Sequence, residues 1–283
     1  MNAKTFASQV QDLFELPDTF LRLQSLQNSD SSTLNDYAEI ISLDPSLAAR
    51  VLKLSNSVLY RFPSQIDTLT QAINVIGSEA VIHLALANCT GNVVNQIAKG
   101  TIDIDRFWNE SVECALLMRN LGIMNGTKRH ERLFIIGLLH NIGELVVAQV
   151  APEKASEIEK MTRENANPLE NQRQVLGFNY ADCSAELVTA WKLPDNLVIP
   201  IRFQHIPLQT NVFNKETSLL HISNALVSLI SNAQPVSELS ESVSKLAARE
   251  GLEEEDLSKS IEYTNLEALE VLSILNPGAA SII

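Results

Sequence analysis

The chain has 283 residues, of which 45% are hydrophobic and 19% are charged, so it can bury a sizeable core and is not a disordered or collagenous chain. It carries 21 Lys and Arg residues against 34 Asp and Glu residues, a formal net charge of −13, and no third of the chain is basic. A protein that binds nucleic acid or an anionic membrane directs several basic side chains at phosphate groups. We therefore expect no nucleic-acid partner and no membrane partner.

The three cysteines, Cys89, Cys114 and Cys183, are far apart and form no CxxC pair. Disulfide frameworks and zinc knuckles need paired or closely spaced cysteines, so we expect reduced thiols in the core. The N-terminal residues up to Asp12 contain no apolar segment of the kind that a secretory signal requires. These features predict a cytoplasmic protein.

Apolar residues recur at helical spacing along nearly the whole chain, and no sustained alternation of the strand type occurs. Several helix starts are marked by capping residues, as where Asp44 precedes Pro45. The pattern predicts an all-α fold. The predicted helices cover residues 3–14, 18–27, 33–42, 45–56, 68–76, 78–98, 104–124, 130–150, 152–165, 168–176, 180–191, 195–205, 215–233 and 238–249.

The composition changes near residues 97–105, which separate a first helical layer from a more apolar second part. We predict an N-terminal helical subdomain over residues 1–100 and a helical core over residues 101–235. The residues from 236 to 283 include an acidic run and weakly patterned sequence, which predicts a solvated helical or irregular appendage.

The segment 133–150 is apolar on almost every face, as expected of a helix at the centre of a bundle. Its polar residues His140, Asn141 and Glu144 need partners, because an unsatisfied buried polar group costs about 1–3 kcal/mol. Within one continuous helix, His140 and Glu144 stand four residues apart on the same face. We therefore expect them to form a buried hydrogen-bonded pair rather than a pair of metal ligands.

Five segments occur in a characteristic order, and they are residues 16–81, FWNES at 107–111, GLLHNIG at 137–143, residues 177–207 and HISNAL at 221–226. Together they resemble the HDOD family, the HD-related output domains of bacterial signalling proteins. The resemblance spans roughly residues 15–235. It implies a multi-helix bundle with an HD-like core at 101–235 and an N-terminal helical layer.

The resemblance also implies that a metal site has been lost. In HD-type metal phosphohydrolases an adjacent His and Asp bind a divalent cation, and here that doublet is His140-Asn141. The other expected ligands are replaced by Glu110, Tyr180, Gln204 and Asn224, and a frequent Lys by Glu144. The vestigial metal positions are Glu110, His140, Asn141, His205 and Asn224. We expect no catalytic residue, no bound metal and no cofactor.

The leading hypothesis is a non-enzymatic regulatory module that acts through protein–protein contacts in a bacterial two-component or cyclic-dinucleotide pathway. Its partner would bind in trans as a sensor kinase, a response regulator or a cyclic-dinucleotide enzyme, and a homodimer is compatible with the sequence. The alternative is a degenerate metal-dependent phosphohydrolase that uses Glu110, His140 and His205 around a divalent metal. A third hypothesis keeps the former site as a pocket for a small polar ligand or a nucleotide. That pocket would be lined by Glu110, His140, Asn141, Glu144, Tyr180, His205 and Asn224.

Overall fold

The computed structural model describes residues 2–10, 18–27, 29, 31–60, 62–82, 84–86, 101–128, 130–165, 167–209 and 215–275. Over these residues the regular structure is helical and contains no strand, which confirms the predicted all-α fold class. The α-helices are α1 (Ala3–Gln9), α2 (Asp18–Gln27), α3 (Leu34–Ser42), α4 (Pro45–Ser55), α5 (Leu69–Ile76), α6 (Ser78–Leu86), α7 (Ile104–Met124), α8 (His130–Leu139), α9 (Ile142–Val150), α10 (Pro152–Asn165), α11 (Pro168–Leu176), α12 (Tyr180–Ala190), α13 (Asp195–Phe203), α14 (Lys215–Ser231), α15 (Glu241–Arg249) and α16 (Glu254–Leu275). Two short 3₁₀ turns lie at Pro207–Gln209 and Val236–Glu238.

One predicted element was wrong in kind rather than in its end points. The helix predicted over 130–150 is two helices, because the chain leaves helical geometry at His140 and Asn141 between α8 and α9. The helix α16 falls in the part that was predicted to be a helical or irregular appendage, for which no helix beyond residue 249 was given bounds. The end of the first predicted helix, residues 87–98 of the sixth, and Cys89 lie outside the described residues.

The chain divides into a larger unit of residues 1–14 and 93–265 and a smaller unit of residues 15–92 and 266–283. This division differs from the predicted one at both ends of the chain. The helix α1 belongs to the larger unit because it packs against α12 and α9. Residues 236–265 also belong to the larger unit, where Leu246 and Ser260 are buried, so they are not a solvated appendage.

The core of the larger unit is built on α7, α8 and α9. The stretch His130–Val150 is long and apolar enough to cross a membrane, but 83% of its most apolar window is buried inside the protein. Burial among neighbouring helices accounts for this apolar composition, since a helix that is apolar all round is typical of a bundle core.

Two glycines allow helices to approach closely on either side of the break between α8 and α9. A Cβ atom on Gly137 would lie 2.6 Å from the Cα atom of Ala115 on α7. A Cβ atom on Gly143 would lie 2.1 Å from the carbonyl oxygen of Tyr180 at the start of α12. No side chain fits at either point, so these contacts fix the position of the His140-Asn141 break against α7 and α12.

The smaller unit contains α2 to α6 and the end of α16. Here Asn56, at the end of α4, donates from its side-chain amide to the carbonyl oxygens of Leu52 and Ile66, each at 2.8 Å. Its Oδ1 atom accepts the backbone N–H of Ile66, also at 2.8 Å. One amide therefore replaces the backbone pairing that the loop between α4 and α5 lacks.

Candidate functional site

A cleft of about 470 Å³ opens in the larger unit, between α7, the break of α8 and α9, and the helices α10 to α14. The sequence analysis nominated seven residues for a pocket, and all seven line this cleft: Glu110, His140, Asn141, Glu144, Tyr180, His205 and Asn224. The fold thus brings together side chains that are separated by more than a hundred residues along the chain. Two sides of the cleft differ in chemistry, and we call them the charged wall and the neutral wall.

The charged wall consists of Arg106, Glu110, Glu144 and Glu159. The guanidinium of Arg106 lies 2.6 Å from a carboxylate oxygen of Glu144, 3.2 Å from Glu110 and 3.3 Å from Glu159. The side chain of Glu144 is only 3% exposed, whereas that of Glu110 is 29% exposed. The three carboxylates come from α7, α9 and α10, so one guanidinium joins three helices.

The positions of the charged-wall side chains follow from local helix geometry. Arg106 and Glu110 stand one turn apart on α7, whose first turn is capped by Asp103. Glu144 lies in the first turn of α9, and its second carboxylate oxygen accepts the side-chain amide of Asn141 at 2.6 Å. Glu144 is therefore bound by Asn141 and Arg106.

The predicted hydrogen-bonded pair of His140 and Glu144 was wrong because the predicted single helix is broken. The helix ends before His140 and a new helix begins after Asn141, so the four-residue spacing no longer puts the two side chains on one helical face. His140 instead places its Nδ1 atom 2.6 Å from the carbonyl oxygen of Gly137.

The neutral wall consists of His140, Gln204, His205 and Asn224. The side-chain amide of Gln204 donates to the backbone carbonyl of His140 at 3.0 Å and to that of Ile201 at 2.9 Å. Its Oε1 atom accepts the side-chain amide of Asn224 at 2.8 Å. Gln204 is 2% exposed and has both ends of its amide satisfied, so it connects the α8–α9 break to α13 and α14.

The two imidazoles of this wall are neutral. Burial lowers the pKa of His140 to about 4, although its bond to Gly137 acts in the opposite direction. Burial also lowers the pKa of His205 to about 4, and the neighbouring His140, His221 and Arg173 lower it further. Because a carbonyl oxygen can only accept, Nδ1 of His140 carries the proton and Nε2 keeps a lone pair.

On the charged wall, burial has the opposite effect because the groups are acids. Burial raises the pKa of Glu144 to about 7, and the attraction of Arg106 only partly offsets it. Burial likewise raises the pKa of Glu110, against the effect of Arg106. Burial disfavours the charged form of Arg106 too, but the three carboxylates outweigh it and raise the pKa of Arg106 above its ordinary value.

The remaining titratable groups near the cleft do not form a nucleophile. The pKa of Tyr180, the first residue of α12, is raised by burial and then by Glu144, so its phenol stays protonated. Burial raises the pKa of the free thiol of Cys114 and, to about 12, that of Cys183. Nucleophilic catalysis by cysteine requires the thiolate.

The donor set does not fit the divalent metal that an HD-type site would bind. Within the described part of the chain, no group of three or more His, Cys, Asp or Glu side chains is arranged to hold a metal ion. Glu110, the carboxylate among the candidate ligands, is bonded to Arg106, and Asn141 is bonded to Glu144. The guanidinium of Arg106 already supplies the positive charge among these carboxylates.

Sequence reasoning missed Arg106 and Glu159 and saw Gln204 only as a lost ligand. The spacing of Arg106 and Glu110 was a usable signal, because Arg and Glu four residues apart on a helix form ion pairs. No local signal identified Glu159, since it lies on a separate helix that also carries several exposed acids.

The fold defines a class of protein, an all-α helical bundle with a polar cleft in its larger unit. The HDOD domain matches residues 13–207, more than half of the chain. The chain belongs to the HDOD domain family.

Among the related proteins is an uncharacterized protein from Treponema pallidum (strain Nichols), which is 23% identical over 248 residues. The match covers 85% of this chain and 47% of that relative, so the chain spans about half the length of the curated relative that it matches.

Two solved structures share the fold. A protein from Shewanella amazonensis SB2B, provisionally named a phosphohydrolase, is 25% identical with a TM-score of 0.75, and the match covers 95% of this chain and 97% of that one. A protein from Marinobacter aquaeolei VT8, provisionally named a signal transduction protein, is 23% identical with a TM-score of 0.73. That match covers 96% of this chain and 61% of the other.

Proposed function

We propose that this protein is a non-enzymatic signal-transduction module that acts through protein–protein contacts. The observation that carries the proposal is the bonding of Arg106 to both Glu110 and Glu144. A metal phosphohydrolase needs carboxylates and imidazoles that are free to bind a cation and to activate water. Here the candidate carboxylate is neutralised by a guanidinium, which can neither activate water nor leave the site.

Membership of the HDOD family and the signalling name of the Marinobacter protein support the regulatory part of the proposal. We expect the protein to work in the cytoplasm and to bind its partner in trans. The partner would be a sensor kinase, a response regulator or a cyclic-dinucleotide enzyme of a two-component or cyclic-dinucleotide pathway. The net charge of −13 favours a partner with a basic contact surface, because opposite surface potentials speed association.

A degenerate metal-dependent phosphohydrolase is the second candidate. It is favoured by the shared cleft of His140 and His205, by the lone pair on Nε2 of His140, and by the name of the Shewanella protein. The second candidate requires a metal ion in the cleft, whereas the first does not.

Metal analysis and hydrolysis assays separate them. Protein purified without chelators is analysed for Mn, Fe, Mg and Zn, and then assayed with generic phosphomonoesters and phosphodiesters in the presence of each metal. The proposal expects no stoichiometric metal and no metal-dependent turnover. Stoichiometric metal together with hydrolysis that His140→Ala abolishes would overturn it.

The positive part of the proposal is tested by purification from the native host, with mass spectrometry of the bound proteins. We expect a signalling protein of one of the three classes to co-purify in near-stoichiometric amount and to bind again when both proteins are purified. Failure of every enriched signalling protein to bind in that second step contradicts the proposed mode of action.

A further inference from the structure

A second cavity of the larger unit, of about 530 Å³, opens between the 3₁₀ turn Val236–Glu238, α15 and the start of α16. We call it the α15 groove. It lies beyond residue 207, where the match to the HDOD domain ends, so it is separate from the cleft described above. The apolar part of its lining consists of Val236, Leu239, Ala247, Ala248, Leu252 and Leu257.

Backbone hydrogen bonds fix the two sides of the α15 groove. The N–H of Leu252 donates to the carbonyl oxygen of Ala247 at 3.0 Å, across Gly251, whose φ of +74° is a conformation that glycine favours. On the other side, the N–H of Leu239 donates to the carbonyl oxygen of Val236, also at 3.0 Å. The groove therefore has its shape before a partner binds, which lowers the entropy cost of association.

The apolar side chains form a buried floor and an accessible edge. Leu252 and Leu257 belong to the floor and are 2% and 3% exposed. Ala248 is exposed, and Val236 and Leu239 are half-buried, so the edge presents apolar surface to solvent. An apolar side chain that covers this edge removes apolar surface from water on both partners.

Two acidic side chains are the charged groups of the lining, and they are Glu253 and Glu254. Both residues are exposed, and neither carboxylate is in an ion pair with a basic residue of the described chain. The neighbouring acids have other partners, because Asp256 accepts the backbone N–H of Glu253 and Glu255 pairs with Lys259. The carboxylates of Glu253 and Glu254 are therefore available to a partner.

The basic residues of α15 do not neutralise this lining. Lys245 pairs with Glu241 at 2.6 Å, and neither Lys245 nor Arg249 lies on the lining. Residues 236–257 contain seven acidic and two basic side chains, a formal net charge of −5. A partner segment with Lys or Arg side chains meets complementary charge here, whereas an acidic segment is repelled.

We propose that the α15 groove is the docking site for a helical segment of a partner protein that carries an apolar side chain flanked by Lys or Arg. The apolar side chain covers the edge of the groove, and the basic side chains bind Glu253 and Glu254. An amphipathic helix whose apolar face lies in a groove is a recurring mode of recognition. The inference rests on the proposed function, since it names the surface through which the protein contacts its partner.

Fluorescence anisotropy of a labelled synthetic peptide tests the proposal with the full chain. The peptide consists of Leu and Lys, is about fifteen residues long and has its leucines on one helical face. One control peptide has Ser in place of Leu, and the other has Glu in place of Lys. We expect saturable one-to-one binding of the Leu–Lys peptide and none of the controls. Absence of binding of the Leu–Lys peptide, or equal binding of either control, would overturn the proposal.

The exposed Ala248 allows the groove to be blocked without disturbing the core. Ala248→Arg places a long basic side chain at the edge of the groove, so we expect the peptide to bind about tenfold more weakly or less. Ala49→Arg introduces the same side chain at an exposed position of α4 and is expected to change the affinity less than about twofold. Arg is a good helix former, so both variants should keep the circular dichroism spectrum of the wild type. Equal affinities of the two variants would refute the groove as the site.

A second pair of variants separates docking from attraction to an acidic protein. We expect the double variant Glu253→Gln and Glu254→Gln to weaken peptide binding by about threefold or more, because it removes the charges of the lining. Glu153→Gln with Glu157→Gln removes the same charge from exposed positions of α10 and is expected to have less than about a twofold effect. Equal effects of the two double variants would show surface attraction only and would contradict the proposal.

The remaining measurements distinguish this inference from the proposed function. A dimer in analytical ultracentrifugation that Ala248→Arg dissociates and Ala49→Arg does not would place a second copy in the groove and overturn the proposal. A signalling partner that binds the wild type and Ala248→Arg equally well would contradict only this inference. Metal-dependent hydrolysis without peptide binding would contradict both.

Discussion

On the charged wall of the cleft the buried carboxylate of Glu144 is balanced by the guanidinium of Arg106. On the neutral wall the amide of Gln204 accepts a hydrogen bond from Asn224 and donates to the backbone carbonyl of His140. Both walls line the same cleft. On the neutral wall, the hydrogen bonds are made by uncharged amide groups. The charged wall depends on one cation that three helices share.

This difference predicts different responses to mutation. Loss of one member of a buried ion pair leaves a charge without a partner and costs about 3–5 kcal/mol, although the intact pair adds little stability. Loss of one amide from a neutral network leaves dipoles unsatisfied and costs about 1–3 kcal/mol. The walls are also expected to differ in the effect of pH.

The largest effect is expected for Arg106→Met. The substitution leaves the carboxylate of Glu144, which is 3% exposed, without its cation, so we expect the free energy of unfolding at pH 7.5 to fall by about 3–5 kcal/mol. Urea denaturation followed by circular dichroism measures it. Arg163→Met is the matched control, because Arg163 is 72% exposed in its pair with Glu159 and such pairs contribute about 0–1 kcal/mol. Equal losses in the two variants would show that Arg106 is not the centre of the wall.

The next effect is expected for Gln204→Leu on the neutral wall. The substitution removes the donor to the His140 carbonyl and the acceptor of the Asn224 amide, so we expect a loss of about 1–3 kcal/mol. The same urea titrations measure it, with the exposed Gln234→Leu as the control. A loss as large as that of Arg106→Met would contradict the distinction between the walls.

The sequence predicted the membership of the cleft better than its bonding. Helical periodicity and capping residues were sufficient for the all-α fold, because both are local properties of the chain. The resemblance to HDOD proteins placed Glu110, His140 and Asn224 at one site although they lie on three different segments. The bonds between them depend on side-chain positions that the sequence pattern does not specify.

The break between α8 and α9 shows where this limit lies. From Leu133 to Ala148 every residue except His140, Asn141 and Glu144 is compatible with one apolar helix, so periodicity alone favours continuity. The close approach at Gly137 and Gly143 is tertiary and cannot be recognised from spacing. The bounds of α16 were not predicted either, since its many acidic residues masked the buried Thr264 and Val271.

The pH dependence of stability is expected to have opposite signs on the two walls. The pKa of Glu144 is raised from 4.5 to about 7, so between these values the folded chain holds a proton that the unfolded chain has released, and stability falls as pH rises. The pKa of His140 and of His205 is lowered from 6.5 to about 4, so between these values the unfolded chain binds more protons, and stability rises with pH.

The variant Glu144→Gln is expected to separate these contributions. Without the carboxyl group, the free energy of unfolding should rise more steeply from pH 5 to pH 6.5 than in the wild type, and it should fall less between pH 6.5 and pH 7.5. His205→Asn should do the reverse between pH 5 and pH 6.5. Urea denaturation at half-unit pH intervals measures both slopes. Unchanged slopes in both variants would contradict the assignment of pH dependence to the two walls.

The smallest effect on stability is expected for Glu110→Gln. Glu110 is 29% exposed, and Arg106 keeps its bonds to Glu144 and Glu159 when Glu110 loses its charge. Its removal also lessens the repulsion among the three carboxylates, so we expect a change of less than about 1 kcal/mol in the free energy of unfolding. Urea denaturation measures this value, and a loss comparable to that of Arg106→Met would show that Glu110 is a structural member of the wall.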